Sequence, residues 1–182
     1  MKLTSNRLIY SEITEKHIEE IHRMNSLAEV ARFNTIGIPE SIEETASLLH
    51  NVIYNRFMKK RTLFGWSVRL KSDNAFVGEL GMQLSAPKYN RAEIHYNLMP
   101  EHWGNGYATE IVKSVIDFGF NTLKLHRIEA GVAVDNIASI KVLEKVGMQR
   151  EGRKRKILPL ADGWSDNYGY AILREDFKDR KT

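Results

Sequence analysis

The sequence predicts an α/β domain in which an antiparallel sheet comes first and helices and strands alternate afterwards. Two observations carry this. Between Thr62 and Met99 apolar residues recur at every second position, in three runs joined by short turn-rich links, and that period belongs to strands with one buried face. From Tyr107 the period switches to that of a helix and back, giving helix, strand, helix and two further strands. A chain of 182 residues has the length of one domain with its own core. No linker, internal repeat or low-complexity tract divides it, so a single unit over residues 1–182 is expected, with its core from about 7 to 174.

The elements follow in order. Leu8 to Glu12 reads as a first strand. Thr14 caps a helix whose apolar face is Ile18, Ile21 and Met24. Ser41 and Glu44 form an S-x-x-E capping box at the head of a second helix, with Leu48, Leu49, Val52, Ile53 and Phe57 as its stripe. "TLFGWSVRL" and "AFVGELGMQL" are strands joined through "KSDN", and Ala92 to Met99 is a third. A helix over Tyr107–Thr122, a strand over Arg127–Val134 and a helix over Ile137–Val146 come next, the last closed by Gly147. Strand-like runs at Met148–Leu158 and Ser165–Leu173 flank the turn-rich "PLADGW".

Composition narrows the function classes. The chain is 42% hydrophobic and 27% charged, as soluble globular proteins are, and no apolar run approaches the eighteen or so residues of a membrane span. "MKLTSNRLIY" holds no apolar core of signal-peptide length. With no cysteine there is no disulfide framework, thiol nucleophile or thiolate-bound metal, and a cytoplasmic setting is expected. The six histidines make no metal pattern: His17 and His22 are five apart, not the four of H-E-x-x-H. The net charge of +4 is uneven, with "KKR" at Lys59–Arg61 and "RKRK" at Arg153–Lys156. Such runs are either a solvated edge or a surface for an anionic partner.

The stretch "EHWGNGYATE", Glu101–Glu110, stands where a strand hands over to a helix. Main-chain N–H groups at a helix start are unpaired and the helix dipole favours negative charge there. Two glycines remove the β-carbons that would hold an anion away, which makes the turn a phosphate cradle in principle. It is not a P-loop, since neither G-x-x-x-x-G-K-[ST] spacing nor the lysine is present. As a dinucleotide fingerprint it is a weak match: Glu129 lies about twenty residues on, where that motif has an acid, but position 109 is Thr and the preceding strand belongs to an antiparallel run.

"YNLMPEHWGNGYATE" followed by "DNIASIKVLEKVGM" resembles the GCN5-related N-acetyltransferase (GNAT) superfamily, and within it the ribosomal-protein N-terminal acetyltransferases of the Rim type. Arg7-Leu8, Trp103–Glu110, Asn136–Met148, Glu151-Gly152 and Gly163–Asp166 match that branch from one end of the chain to the other. Trp103 departs from the wider signature, which has Gln or Arg there. The resemblance implies a mixed, mostly antiparallel sheet flanked by helices, and acetyl-CoA as cosubstrate with no metal. It implies that the main chain of Gly104, Asn105, Gly106, Tyr107, Ala108 and Thr109 holds the pyrophosphate. It further implies that Leu98 and Met99 pair with the pantetheine arm, and that Asn136 bonds the arm while capping its own helix.

Acetyl transfer needs a neutral amine, a polarised carbonyl and a leaving thiol. A protein α-amine has a pKa near 7.7–8.0 and a lysine near 10.4, so the former reacts with only a weak base. Glu93 and His95 alternate onto one strand face, with Glu79 on a neighbouring strand, and are the candidate bases. Main-chain N–H groups near Asn97–Met99 are candidate oxyanion donors. Where relatives carry a tyrosine in L-Y-E-K this chain has Leu143, so Ser139 is the candidate donor to the sulfur. The expected activity is N-acetylation of a ribosomal or other protein N-terminus by direct transfer. The alternatives are the same fold acting on a small-molecule amine, and a non-catalytic RNA- or ribosome-binding module. No membrane partner is expected, nucleic acid only through a ribosomal one, and a homo-oligomer stays open.

Overall fold

The period-two segments pair into one seven-stranded sheet of order β1-β2-β3-β4-β5-β7-β6. The computed structural model describes residues 3–178. Its strands are β1 (Leu8–Glu12), β2 (Leu63–Leu70), β3 (Phe76–Leu84), β4 (Arg91–Leu98), β5 (Arg127–Ala133), β6 (Gln149–Leu160) and β7 (Gly163–Leu173). Its helices are α1 (Ile18–Asn25), α2 (Ala28–Ala31), α3 (Ile42–Asn55), α4 (Tyr107–Asp117), α5 (Ile137–Lys145) and α6 (Arg174–Lys178). β4 and β5 run parallel and the other neighbours are antiparallel.

Side chains alternate across a strand, and the two faces carry different covers. Phe64, Trp66, Leu80, Met82 and Ile94 face α4 and α5, whose Ile111, Val112, Val115 and Leu143 complete the main core. On the other face Ile21 and Met24 of α1 and Ile53 of α3 pack with Ile13, Phe76 and Met99.

Helix starts are set locally as the spacing predicts. Ser41 Oγ accepts from the Glu44 N–H at 3.2 Å, although Glu44 reaches back to the Glu40 N–H at 2.6 Å instead of to Ser41. The structure departs from the sequence reading in five places. The helix read from Thr14 opens as a 3-10 turn over Glu15–His17, and α1 begins only at Ile18. The four-residue α2 has too few residues for a period. The α3 stripe is only half buried, with Leu48 at 46% exposure, and Phe57 falls beyond the helix end at Asn55 and is 75% exposed. The helix from Tyr107 becomes a π-turn over Phe118–Thr122. β6 and β7 run into "PLADGW" and leave only two residues, 161 and 162, as the turn.

One feature of the sheet positions the site. β4 and β5 are paired only at Arg91↔Arg127, Ala92↔Ile128 and Glu93↔Glu129. Glu129 holds that shared end together, bonded to Arg91 and Arg127, each at 2.7 Å. Beyond it β4 stays with β3 as far as Leu98 and β5 stays with β7 as far as Ala133. The two strands therefore part, leaving main-chain groups unpaired in the middle of the sheet.

Candidate active site

The mouth of this parting is closed by the glycine turn. Gly104 has φ +75° and Gly106 φ +78°, the left-handed region that glycine enters without steric cost. Contacts within the protein do not require either glycine: a β-carbon at Gly104 would meet nothing, and one at Gly106 only Arg7 Nη2 at 3.6 Å. Gly106 sits immediately before α4, so the N–H groups of Tyr107, Ala108 and Thr109 head the helix without intrahelical partners.

Arg7, brought in by β1 from a hundred residues away, locks this turn. Its Nη1 donates to the Asn105 carbonyl at 3.0 Å and its Nε to Glu110 Oε2 at 2.8 Å. Its main-chain N–H donates to Glu110 Oε1 at 2.7 Å, and the guanidinium lies 4.4 Å from the Tyr107 ring centre. Burial opposes the Glu110 charge, but the two Arg7 bonds outweigh it and hold that carboxyl below its ordinary value. Asn105 spends its amide on the Trp103 carbonyl at 3.1 Å. Gly104, Gly106, Tyr107, Ala108 and Thr109 line the cleft that starts here, and Asn105 does not. The side chain and carbonyl of Asn105 therefore shape the turn.

The cleft has a volume of about 1160 Å³ and passes through the sheet at the parting. The expectation that Leu98 and Met99 both pair with a ligand is corrected at Met99. Its N–H donates to the Val77 carbonyl at 2.9 Å and its carbonyl accepts from His102 at 3.0 Å, so its main chain is already engaged. Main-chain groups alternate in direction along a strand, which turns the Leu98 N–H toward the gap. Trp103 Nε1 covers the Leu98 carbonyl at 2.9 Å. The indole thus anchors the end of β4 in place of the side-chain donor usual at position 103.

On the α1–α3 side of the sheet stand Glu93, His95 and Asn97 of β4, facing Gln83, Gly81 and Glu79 of β3. Glu79 is buried and Oε1 accepts from Asn97 Nδ2 at 3.1 Å. Gly81 makes room for the His95 ring, which a β-carbon there would meet at 2.1 Å. Glu79, Glu93 and His95 all line the cleft, with Glu79 opposite Asn97 and so four residues along the strands from Glu93.

Asn136 and Ser139 line the cleft from the α5 side. Asn136 Oδ1 accepts from the Ser139 N–H at 3.1 Å, which fills the capping role and leaves the Asn136 NH2 for a ligand. Tyr96, opposite Leu80 on β4, lies beside Ser139. Burial pushes its phenol up to about 12, opposed by the Ser139 hydroxyl. The buried Tyr96 oxygen has no hydrogen-bond partner, nor has Asn167 Oδ1, which lines the same cleft from β7. Lys141 and Lys145 of α5 add positive charge to the wall. Sequence reasoning missed Arg7 as a clamp, Tyr96, Asn167 and these lysines; only the helical spacing of 141 and 145 was there to be read.

A cradle of free N–H groups, a strand edge with an unused donor, orphaned polar atoms and flanking lysines suit a long, flexible, phosphate-bearing ligand. By contrast, no group of three or more potential metal ligands occurs among the described residues. No helix among them is long and apolar enough to cross a membrane. The basic runs are partly engaged in intramolecular ion pairs: Arg61 pairs with Glu12 at 2.7 Å and the exposed Arg153 with Asp166 at 2.6 Å.

The sequence matches the family described as acetyltransferase (GNAT) domain over residues 7–149, and the chain belongs to that family. It is 35% identical to the uncharacterized N-acetyltransferase YoaA of Bacillus subtilis (strain 168), over 94% of this chain and 96% of that protein. A GNAT-family acetyltransferase of Bacillus anthracis has the same fold, with TM-score 0.83 and 30% identity over 96% of this chain and 99% of that one. So does a Vibrio cholerae spermidine N-acetyltransferase in complex with CoA and spermine, with TM-score 0.82 and 22% identity over 94% and 98%. The protein is an N-acetyltransferase of the GNAT fold, and GNAT enzymes use acetyl-CoA.

Proposed function

We propose that this N-acetyltransferase acts on the N-terminal α-amine of a protein, ribosomal or other, by direct transfer from acetyl-CoA in the cytoplasm, as the Rim-type branch does. The carrying observation is the wall of the cleft on the α1–α3 side. Phe33, Ile36, Leu48 and Leu49 line it, with Ile36 53% and Leu48 46% exposed. An open apolar wall beside Glu79 and Asn97 suits the first side chains of a peptide whose amine enters the sheet. The bases at hand fit a weakly basic amine. Glu93 and His95 are exposed and Glu79 is tied to Asn97, an arrangement able to relay a proton to solvent.

In this reading the N–H groups of Tyr107, Ala108 and Thr109 hold the pyrophosphate, assisted by Lys141 and Lys145. Leu98 and Asn136 hold the pantetheine arm, and Ser139 donates to the departing sulfur. Acceptor and thiol then meet from opposite faces of the sheet. A small polyamine is the second reading. It is favoured by three carboxylates in one cleft, Glu29, Glu79 and Glu93, and by the spermine-bound Vibrio cholerae enzyme of like fold.

Mass spectrometry of products decides between them. The acceptors are a peptide with a free N-terminus and an internal lysine, the same peptide with its terminus blocked, and spermidine. The free α-amine is expected to react fastest, with a rate that climbs to about pH 8 as that amine loses its proton and then levels off. Equal rates on the blocked peptide contradict the α-amine reading, and a faster rate on spermidine selects the second.

A further inference from the structure

Tyr96 is a buried phenol without a partner, next to the place where the transfer needs a proton donor. It lies on the α4–α5 face of β4 and packs against the main core, where phenylalanine would fill almost the same space. Its hydroxyl gives up its bonds to water and gains none of ordinary geometry in return, a loss that costs stability. The neighbouring hydroxyl is that of Ser139, and both residues line the cleft. Because burial pushes the phenol up to about 12, Tyr96 keeps its proton wherever an amine reacts. It is a hydrogen-bond donor, not an acid that gives its proton away.

We propose that Tyr96 is a positioning residue for the transfer: its hydroxyl donates to Ser139 Oγ and so directs the Ser139 proton to the departing sulfur. The inference rests on reading Ser139 as the sulfur's donor. A serine hydroxyl has one proton and two acceptor lone pairs. Left alone near a helix start, it turns that proton to a nearby main-chain carbonyl or to the capping side chain, here Asn136. A donor on one lone pair leaves the proton free for the cleft and strengthens it by polarisation. Bonds of this kind are often long in an empty site and tighten around substrate.

The step balances with both hydroxyls unchanged. The amine nitrogen bonds to the acetyl carbon, and the carbon–sulfur bond breaks with its electron pair on sulfur. The extra proton on nitrogen leaves toward the Glu79–Asn97 side and solvent. The sulfur, held by the Ser139 hydrogen bond, takes a proton from water on release.

The test compares Ser139→Ala, Tyr96→Phe and the double variant, using acetyl-CoA and an acetyl thioester of a more acidic thiol, with a melting curve for each protein. Tyr96→Phe is expected to lower kcat for acetyl-CoA about five- to fiftyfold with KM little changed, and to lose less with the more acidic thiol. It should melt no lower than the parent, because the group removed is an unpaired buried hydroxyl. The double variant should be no slower than Ser139→Ala alone, as expected of two residues acting as one unit. Unchanged kcat in Tyr96→Phe, equal slowing with both thioesters, multiplying losses in the double variant, or a lower melting temperature with turnover per folded molecule intact each overturns the relay. Full activity in Ser139→Ala overturns the donor reading itself, an outcome distinct from failure of Tyr96→Phe alone.

Discussion

Gly106→Val is expected to weaken acetyl-CoA binding about tenfold or more, a loss of about 1.4 kcal/mol or above, while the domain stays folded. Two effects act together. The residue holds φ +78° at the start of α4, where a β-branched side chain costs about 1–2 kcal/mol. The new side chain also stands over the N–H groups that a phosphate must approach. The first effect falls on stability and lowers the melting temperature by several degrees, about 2–4 °C for each kcal/mol in a domain of this size. Only the second falls on the ligand. The surroundings do not forbid the fold, since a β-carbon there meets only Arg7 Nη2 at 3.6 Å. Calorimetry with acetyl-CoA, beside a circular dichroism melt, reads the two apart. Unchanged affinity in the folded variant contradicts the phosphate cradle.

Ser139→Ala is expected to lower kcat about ten- to a hundredfold, with KM for acetyl-CoA little changed. The geometry makes this substitution cleaner than the sequence suggested. The capping bond to Asn136 Oδ1 comes from the Ser139 main-chain N–H, which alanine keeps, so the helix start survives and the melting temperature should barely move. Truncating Asn136 instead costs roughly 1 kcal/mol through the lost cap. If turnover per folded molecule is unaltered in Ser139→Ala, the sulfur leaves without its help. Catalysis then rests on positioning, main-chain donors and solvent.

What the sequence made legible was local. The hairpin across "KSDN", the capping at Ser41 and Asn136, and the strand-to-helix glycine turn are each set within a few residues, and the structure has them there. Glu93 and His95 share a face because a strand alternates, whatever it pairs with. The misses are set by distant chain. The difference between Leu98 and Met99 depends on which main-chain groups β3 engages, and the Met99 N–H turns to Val77, far back in sequence. Arg7 locks a turn a hundred residues away, and "RL" at the start of a strand carries no sign of it. Tyr96 reads as one more aromatic in a strand until α5 is laid beside it. Exposure of Leu48 went unread for a related reason. Helical period marks the apolar stripe but not how much of it another element covers, and part of this stripe borders an open cleft.

The central claim is that the parted strands and the glycine turn together seat acetyl-CoA. Amide hydrogen exchange by NMR, residue by residue with and without saturating CoA, tests it most directly. Exchange should slow at Tyr107, Ala108 and Thr109, whose N–H groups head α4, and at Leu98, whose N–H faces the gap. It should be the same in both states at Met99, already bonded to Val77 at 2.9 Å. Bound CoA with unchanged exchange at Leu98 and at the head of α4 would contradict the account.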